Sequence, residues 1–156
     1  MIEIERKFLV SSTEFFALAD SKVYIKQGYL SKDPHRTVRV RIKDERAFLT
    51  IKGISSESGM SRFEWEKEIA LEEGETLMRL CLPTIIEKTR FIVPQGTLTF
   101  EVDVFEREHK GLILAEIELP SEKTTINLPP WIGKEVTGDK RYYNSYLSSK
   151  ESKNSL

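Results

Sequence analysis

Cysteine is almost absent from this chain. Cys81 stands alone, so no intramolecular disulfide can form, and a reducing compartment, the cytoplasm, is the expected setting. Histidine is equally scarce: His35 and His109 lie far apart, with no cysteine or second histidine at a zinc-binding spacing, and neither is given a role. No apolar run approaches the length of a membrane span. The opening residues, Met1-Ile2-Glu3-Ile4-Glu5-Arg6-Lys7, carry charge where a secretion signal needs an apolar stretch, so a soluble protein with no membrane partner is expected. An excess of one charge is missing too. Lysine and arginine total 24 against 25 aspartates and glutamates, which argues against a nucleic-acid partner. No Walker loop, nucleophile elbow or Cys/His pair is found.

What the chain does contain is alternation. Its 156 residues suit one domain, read as 1–147, followed by a polar tail over 148–156. Residues Ile2 to Val10 put Glu3, Glu5 and Lys7 on one face of a strand. Ser12 or Thr13 can cap a short helix over Glu14 to Ala19, and strands follow at Val23 to Leu30, Thr37 to Lys43 and Ala47 to Lys52. After a loop over Gly53 to Gly59 the pattern repeats: a strand over Arg62 to Leu71, a helix over Glu72 to Leu82 stopping before Pro83, then strands at Ile85 to Val93, Thr97 to Phe105 and Leu112 to Leu119. Two β-α-β-β-β units predict an α+β fold, with eight antiparallel strands closed into a barrel and the helices outside. Pro120 to Gly138 reads as ordered connection, and Asp139 caps a last helix from Lys140 to about Leu147.

Period two places every second residue on the same side of a sheet. Acidic pairs stand at Glu3/Glu5, Glu64/Glu66, Glu101/Asp103 and Glu116/Glu118, and basic pairs at Arg39/Arg41, continued by Lys43, and Lys88/Arg90, with Lys7 and Lys52 on other strands. Alternation of this kind ordinarily marks a solvated outer face. Here arginines and carboxylates dominate and are segregated by strand, which fits a wet, charged lumen better. Arginine forks and lysine point charges suit phosphate oxygens. Carboxylates alone would repel a phosphate, but a hard divalent cation, Mg²⁺ or Mn²⁺, reconciles the two signs. The chemistry indicated is phosphoryl transfer to water.

The run Glu3-Ile4-Glu5-Arg6-Lys7 matches an ExExK signature, and the chain resembles the CYTH superfamily, the triphosphate tunnel metalloenzymes, in their short bacterial form. The match continues through Gln27-Gly28-Tyr29-Leu30, Val38-Arg39-Val40-Arg41, Thr50-Ile51-Lys52, Glu87-Lys88-Thr89-Arg90, Phe100 to Phe105, Glu116-Ile117-Glu118, Glu135-Val136-Thr137 and Asp139-Lys140-Arg141-Tyr142. The resemblance implies a tunnel that binds a small-molecule triphosphate through Lys7, Arg39, Arg41, Lys52, Lys88 and Arg90. It implies a metal, Mg²⁺ or Mn²⁺, on Glu3, Glu5, Asp103, Glu116 and Glu118, with Glu5 or Asp103 activating water. Glu64, Glu66 and Glu101 are either members of the metal site or charge partners of the arginines. Lys43 and Arg62 can face lumen or solvent, and Tyr29 is read as a packed aromatic. Hydrolysis of inorganic triphosphate to diphosphate and phosphate is the leading expectation. Thiamine or nucleoside triphosphatase, adenylate cyclase and a non-catalytic polyphosphate-binding module are the alternatives, and both monomer and homodimer stay open.

Overall fold

A computed structural model describes residues 1–149. Its elements run β1 (Ile2–Val10), α1 (Phe15–Leu18), β2 (Ser21–Ser31), β3 (Thr37–Lys43), β4 (Arg46–Ser55), β5 (Ser61–Ile69), α2 (Leu71–Leu80), β6 (Ile86–Gln95), β7 (Leu98–Phe105), β8 (Ile113–Glu118), β9 (Ile132–Glu135) and α3 (Asn144–Leu147). The two β-α-β-β-β units are therefore present in the expected order. Hydrogen bonding runs β5-β4-β3-β2-β6-β7-β8-β1, and β1 closes the ring by pairing Ile2 with Phe63, Glu3 with Arg62 and Ile4 with Ser61 of β5. All pairs are antiparallel. Closure removes the unpaired edges an open sheet would expose.

Alternation decides which side of the wall each residue faces. On β7, Phe100 and Val102 point outward into a cluster with Phe8, Phe15, Val93, Ala115, Ile117 and Trp131, whereas Glu101 and Asp103 point inward. The outer face of β2 to β4 is covered by α2. Gly74 permits this close seat, because a Cβ there would come within 2.4 Å of the Ala47 Cβ. At the start of α2 the Glu73 carboxylate accepts from the Ala70 amide at 3.1 Å, satisfying one of the unpaired donors of the first turn.

The structure amends four expectations at the element ends. The strand before the first long loop continues to Ser55 through a register shift after Lys52, so the turn itself lies between Ser55 and Ser61. The strand read to Leu71 stops at Ile69, and Leu71 opens α2, because Ala70 is extended and takes the cap position. The connection before Gly138 contains β9, which pairs with the far half of β1 at Phe8 and Val10, where β5 has already diverged. The expected helix over Lys140 to Leu147 is broken: Asp139 caps a 3₁₀ turn over Lys140–Tyr142 by accepting from the Arg141 amide, Tyr143 is extended, and α3 follows as one turn. Within the expected tail, Ser148 is 1% exposed; residues 150–156 lie outside the described residues.

The C-terminal turn closes one end of the barrel. Leu9, Ile86, Phe105 and Leu114 share strand parity with the charged inward rows, and Leu147 packs against Ile86, Phe105, Leu114 and Val136 with no exposure. The charged lumen thus ends on an apolar floor. The other side of the C-terminal segment is tied to the β4–β5 hairpin, where Gly59, at φ +77°, meets Gly138 so closely that a Cβ would fall 2.4 Å from its Cα.

Candidate active site

Inside the barrel is a cavity of about 220 Å³. Its walls carry Glu3, Glu5 and Lys7 from β1, Arg39 and Arg41 from β3, Lys52 from β4, Glu64 and Glu66 from β5, Lys88 and Arg90 from β6, Glu101 from β7, and Glu116 and Glu118 from β8. Lys43, Arg62 and Tyr29 reach it as well. Strand parity therefore identified the lumen correctly, including for Glu64, Glu66 and Glu101. Tyr29 is both packed, at 4% exposure, and part of the wall.

Asp103 is placed differently. It lies behind the lining, with no exposure, and both of its oxygens are occupied: Oδ1 accepts from Arg90 Nε at 2.7 Å, and Oδ2 from Arg90 Nη2 at 2.9 Å while also meeting Lys88 Nζ at 2.7 Å. Such a bidentate fork fixes a guanidinium plane. Arg90 also reaches Glu101 at 3.2 Å.

Signs are sorted around the ring. The β3 and β6 rows supply Arg39, Arg41, Lys88 and Arg90, separated only by β2, while β8, β1 and β5 present most of the carboxylates. Lys52 bridges Glu3 at 2.8 Å and Glu64 at 3.2 Å. Arg39 reaches Glu66 at 3.3 Å and Thr50 Oγ1 at 3.1 Å, yet its Nε is buried without a hydrogen-bond partner among the described residues. Arg41 donates from Nε to Gln27 Oε1 at 2.9 Å. Burial, with Arg39 and Arg90 close by, presses Arg41 down to about 9, and the same burial with Arg90 and Arg41 presses Lys88 down to about 7 despite Asp103. Arg90 in the same wall is held up by Asp103 and Glu101 against its own burial, so the shortage of negative charge falls on Arg41 and Lys88.

The acidic side shows the opposite tension. Burial, then Glu116 and Glu3, push Glu5 well above the usual carboxylate range, whereas Lys7 and Arg90 hold Glu116 well below it against its own burial. A divalent cation placed among these carboxylates would relieve the repulsion that raises Glu5. Glu3, Glu5, Glu116 and Glu118 offer hard oxygen donors of the type Mg²⁺ and Mn²⁺ take. Among the described residues no group of three or more acidic, histidine or cysteine side chains is set to hold a metal.

Gln27 and Asn144 are among the lining or supporting residues that were not anticipated as parts of the site. Gln27, fully buried on β2, stands opposite Arg41 in the β2–β3 register, a position that parity would have placed in the lumen. Asn144, at the start of α3, accepts from Gln27 Nε2 at 2.9 Å and from Lys88 Nζ at 2.8 Å. No periodic signal marks Asn144, because it enters the barrel from an irregular segment.

A family model described as the CYTH domain matches residues 1–152. The chain is 46% identical over 153 residues to an inorganic triphosphatase of Acetivibrio thermocellus, covering 97% of this chain and 96% of the relative. It is 40% identical over 154 residues to an inorganic triphosphatase of Nitrosomonas europaea, covering 95% and 97% respectively. A crystal structure of an inorganic triphosphatase superposes with a TM-score of 0.65 at 35% identity, over 94% of this chain and 97% of that one. The ring of strands, the inward rows of opposite charge and these matches together make the chain a member of the CYTH domain family.

Proposed function

We propose that this protein is an inorganic triphosphatase, which hydrolyses the terminal phosphoanhydride of triphosphate to give diphosphate and orthophosphate. The observation that carries the reading is the cationic wall of β3 and β6, in which Arg39 Nε is buried without an acceptor among the described residues and Arg41 and Lys88 are pressed below their ordinary pKa values. A phosphate chain supplies the acceptors and the charge that this wall lacks. The relatives that match over nearly their whole length and are named inorganic triphosphatases support the same substrate.

Lys7, Arg39, Arg41, Lys52, Lys88 and Arg90 take the phosphoryl oxygens, so charge building up on the leaving diphosphate meets donors already in place. Glu3, Glu5, Glu116 and Glu118 would hold Mg²⁺ or Mn²⁺, which supplies neutralisation of the phosphates and a more acidic water. Of the two carboxylates expected to activate water, Glu5 is the one assigned that role, since Asp103 has both oxygens committed to Arg90 and Lys88. In its ionised form Glu5 would accept a proton from the attacking water at a carboxylate oxygen. The proposal extends to a cytoplasmic protein acting as a monomer or homodimer.

The test is phosphate release from inorganic triphosphate, ATP and thiamine triphosphate with Mg²⁺, Mn²⁺ or EDTA, with Glu5→Gln as control. Metal-dependent release that is fastest on inorganic triphosphate, and reduced about 10²-fold or more in kcat by Glu5→Gln, is the expected result. Binding without turnover, or cyclic AMP from ATP, would overturn it.

A further inference from the structure

The closed end of the tunnel gathers three cations, Arg41, Lys88 and Arg90, around one fully buried carboxylate, Asp103. Arg41 makes no ion pair among the described residues, and its Nε donates instead to the neutral Gln27 amide. Two such amides complete the assembly. Gln27 accepts from Arg41 through Oε1 at 2.9 Å and donates through Nε2 to Asn144 Oδ1 at 2.9 Å, and the same Asn144 oxygen accepts from Lys88 Nζ at 2.8 Å. A continuous chain of hydrogen bonds and one ion pair, that of Lys88 with Asp103, therefore runs from Arg41 through Gln27, Asn144, Lys88 and Asp103 to Arg90.

The residue type at these two places has a physical consequence. A carboxylate would satisfy the same donors but would neutralise the wall and compete with an incoming anion. An apolar side chain would leave buried cationic donors without acceptors, which is costly, and would let the side chains turn away from the lumen. An amide oxygen fixes the donor's direction and leaves its charge uncancelled. Asn144 is delivered by α3, whose Leu147 is anchored in the apolar floor, so the same turn that closes the barrel also sets the cations.

We propose that Asn144 and Gln27 are positioning residues, which hold Lys88 and Arg41 toward the triphosphate without neutralising them, so that the C-terminal turn tunes the anion affinity of the closed end. The inference rests on the triphosphate reading above. It is tested on the full chain by calorimetric titration with inorganic triphosphate in EDTA, where turnover is absent, alongside thermal unfolding and Mn²⁺-supported kinetics, in wild type, Asn144→Asp, Asn144→Ala and Gln27→Glu. Asn144→Asp keeps size and both of the hydrogen bonds that Asn144 accepts but adds charge, and is expected to weaken triphosphate binding about tenfold or more while the ligand-free melting temperature holds or rises. Gln27→Glu adds charge beside Arg41 but loses the hydrogen bond that Nε2 donates to Asn144, so it is expected to weaken binding by a similar factor with some loss of melting temperature. Asn144→Ala loses both affinity and melting temperature. KM should rise in step with the dissociation constant while kcat stays within about threefold.

A merely structural cap predicts the reverse pattern, with Asn144→Asp binding as wild type, or losing affinity only together with melting temperature; either result overturns the assignment. So does a collapse of kcat at unchanged KM. A wild-type chain that binds triphosphate but does not hydrolyse it would overturn the hydrolase reading and leave these binding outcomes decisive. A wild-type chain that does not bind triphosphate overturns both.

Discussion

Asp103 shares its inward parity with Glu101, and the resemblance to the CYTH superfamily offered it a metal or a water to activate. Parity does not tell what meets it there: two cations on the neighbouring β6, Lys88 and Arg90, are paired across the wall and occupy both of its oxygens. Which face a side chain takes was legible residue by residue, but which partner claims it depends on register between strands distant in sequence. Asp103→Asn separates the two roles. Removing the charge leaves two buried cations uncompensated, so the ligand-free protein should lose about 3 kcal/mol of stability, recovered in part by triphosphate, with KM raised more than kcat is lowered. Denaturant unfolding with and without triphosphate, together with steady-state kinetics, measures this. A kcat loss of about 10²-fold with no change in stability would instead return Asp103 to the chemistry.

At the scale of elements, regular segments were legible and irregular ones were not. β3 spans Thr37–Lys43, as its alternation predicts, and Pro83 marks the end of the second helix within a few residues. β9 escaped because Ile132-Gly133-Lys134-Glu135 is four residues long, and its pairing partner is the half of β1 that β5 leaves free. The last helix was overread because a cap at Asp139 and apolar residues downstream satisfy the pattern, while the extended Tyr143 between them has no local signature. That break lets Leu147 turn into the barrel. Leu147→Ala should therefore cost about 2–4 kcal/mol, as for a fully buried leucine whose surroundings cannot collapse onto the cavity. Since α3 also carries Asn144, triphosphate affinity should fall with it. Denaturant unfolding and calorimetry read the two effects; a loss of stability with affinity unchanged would show that the floor and the cations are uncoupled.

For the whole molecule, the closed barrel imposes a conflict between folding and binding, because cations buried for the anion oppose one another until it arrives. Lys88 makes that conflict measurable. Its pKa in the folded chain is about 7, lowered first by burial and then by Arg90 and Arg41, against about 10.4 for an unfolded lysine. Between these values the unfolded chain binds a proton that the folded chain does not, so this residue's contribution to stability rises with pH through that window and is flat below it. From pH 7 to pH 8 the gain is about 1 kcal/mol. Triphosphate reverses the preference, since an anion beside Lys88 favours its charged form. Binding at pH 8 should take up a proton at this residue and weaken as pH rises further. Glu5, with its raised pKa, titrates in the opposite sense, so the measurement must be a difference. Thermal unfolding of wild type and Lys88→Met from pH 6 to pH 9, with and without triphosphate in EDTA, isolates it. Relative to the variant, the ligand-free wild type should gain stability above pH 7 and its triphosphate-induced stabilisation should shrink over the same range. Parallel curves for the two proteins would mean that Lys88 stays charged throughout, and that the wall carries its full positive charge even when empty.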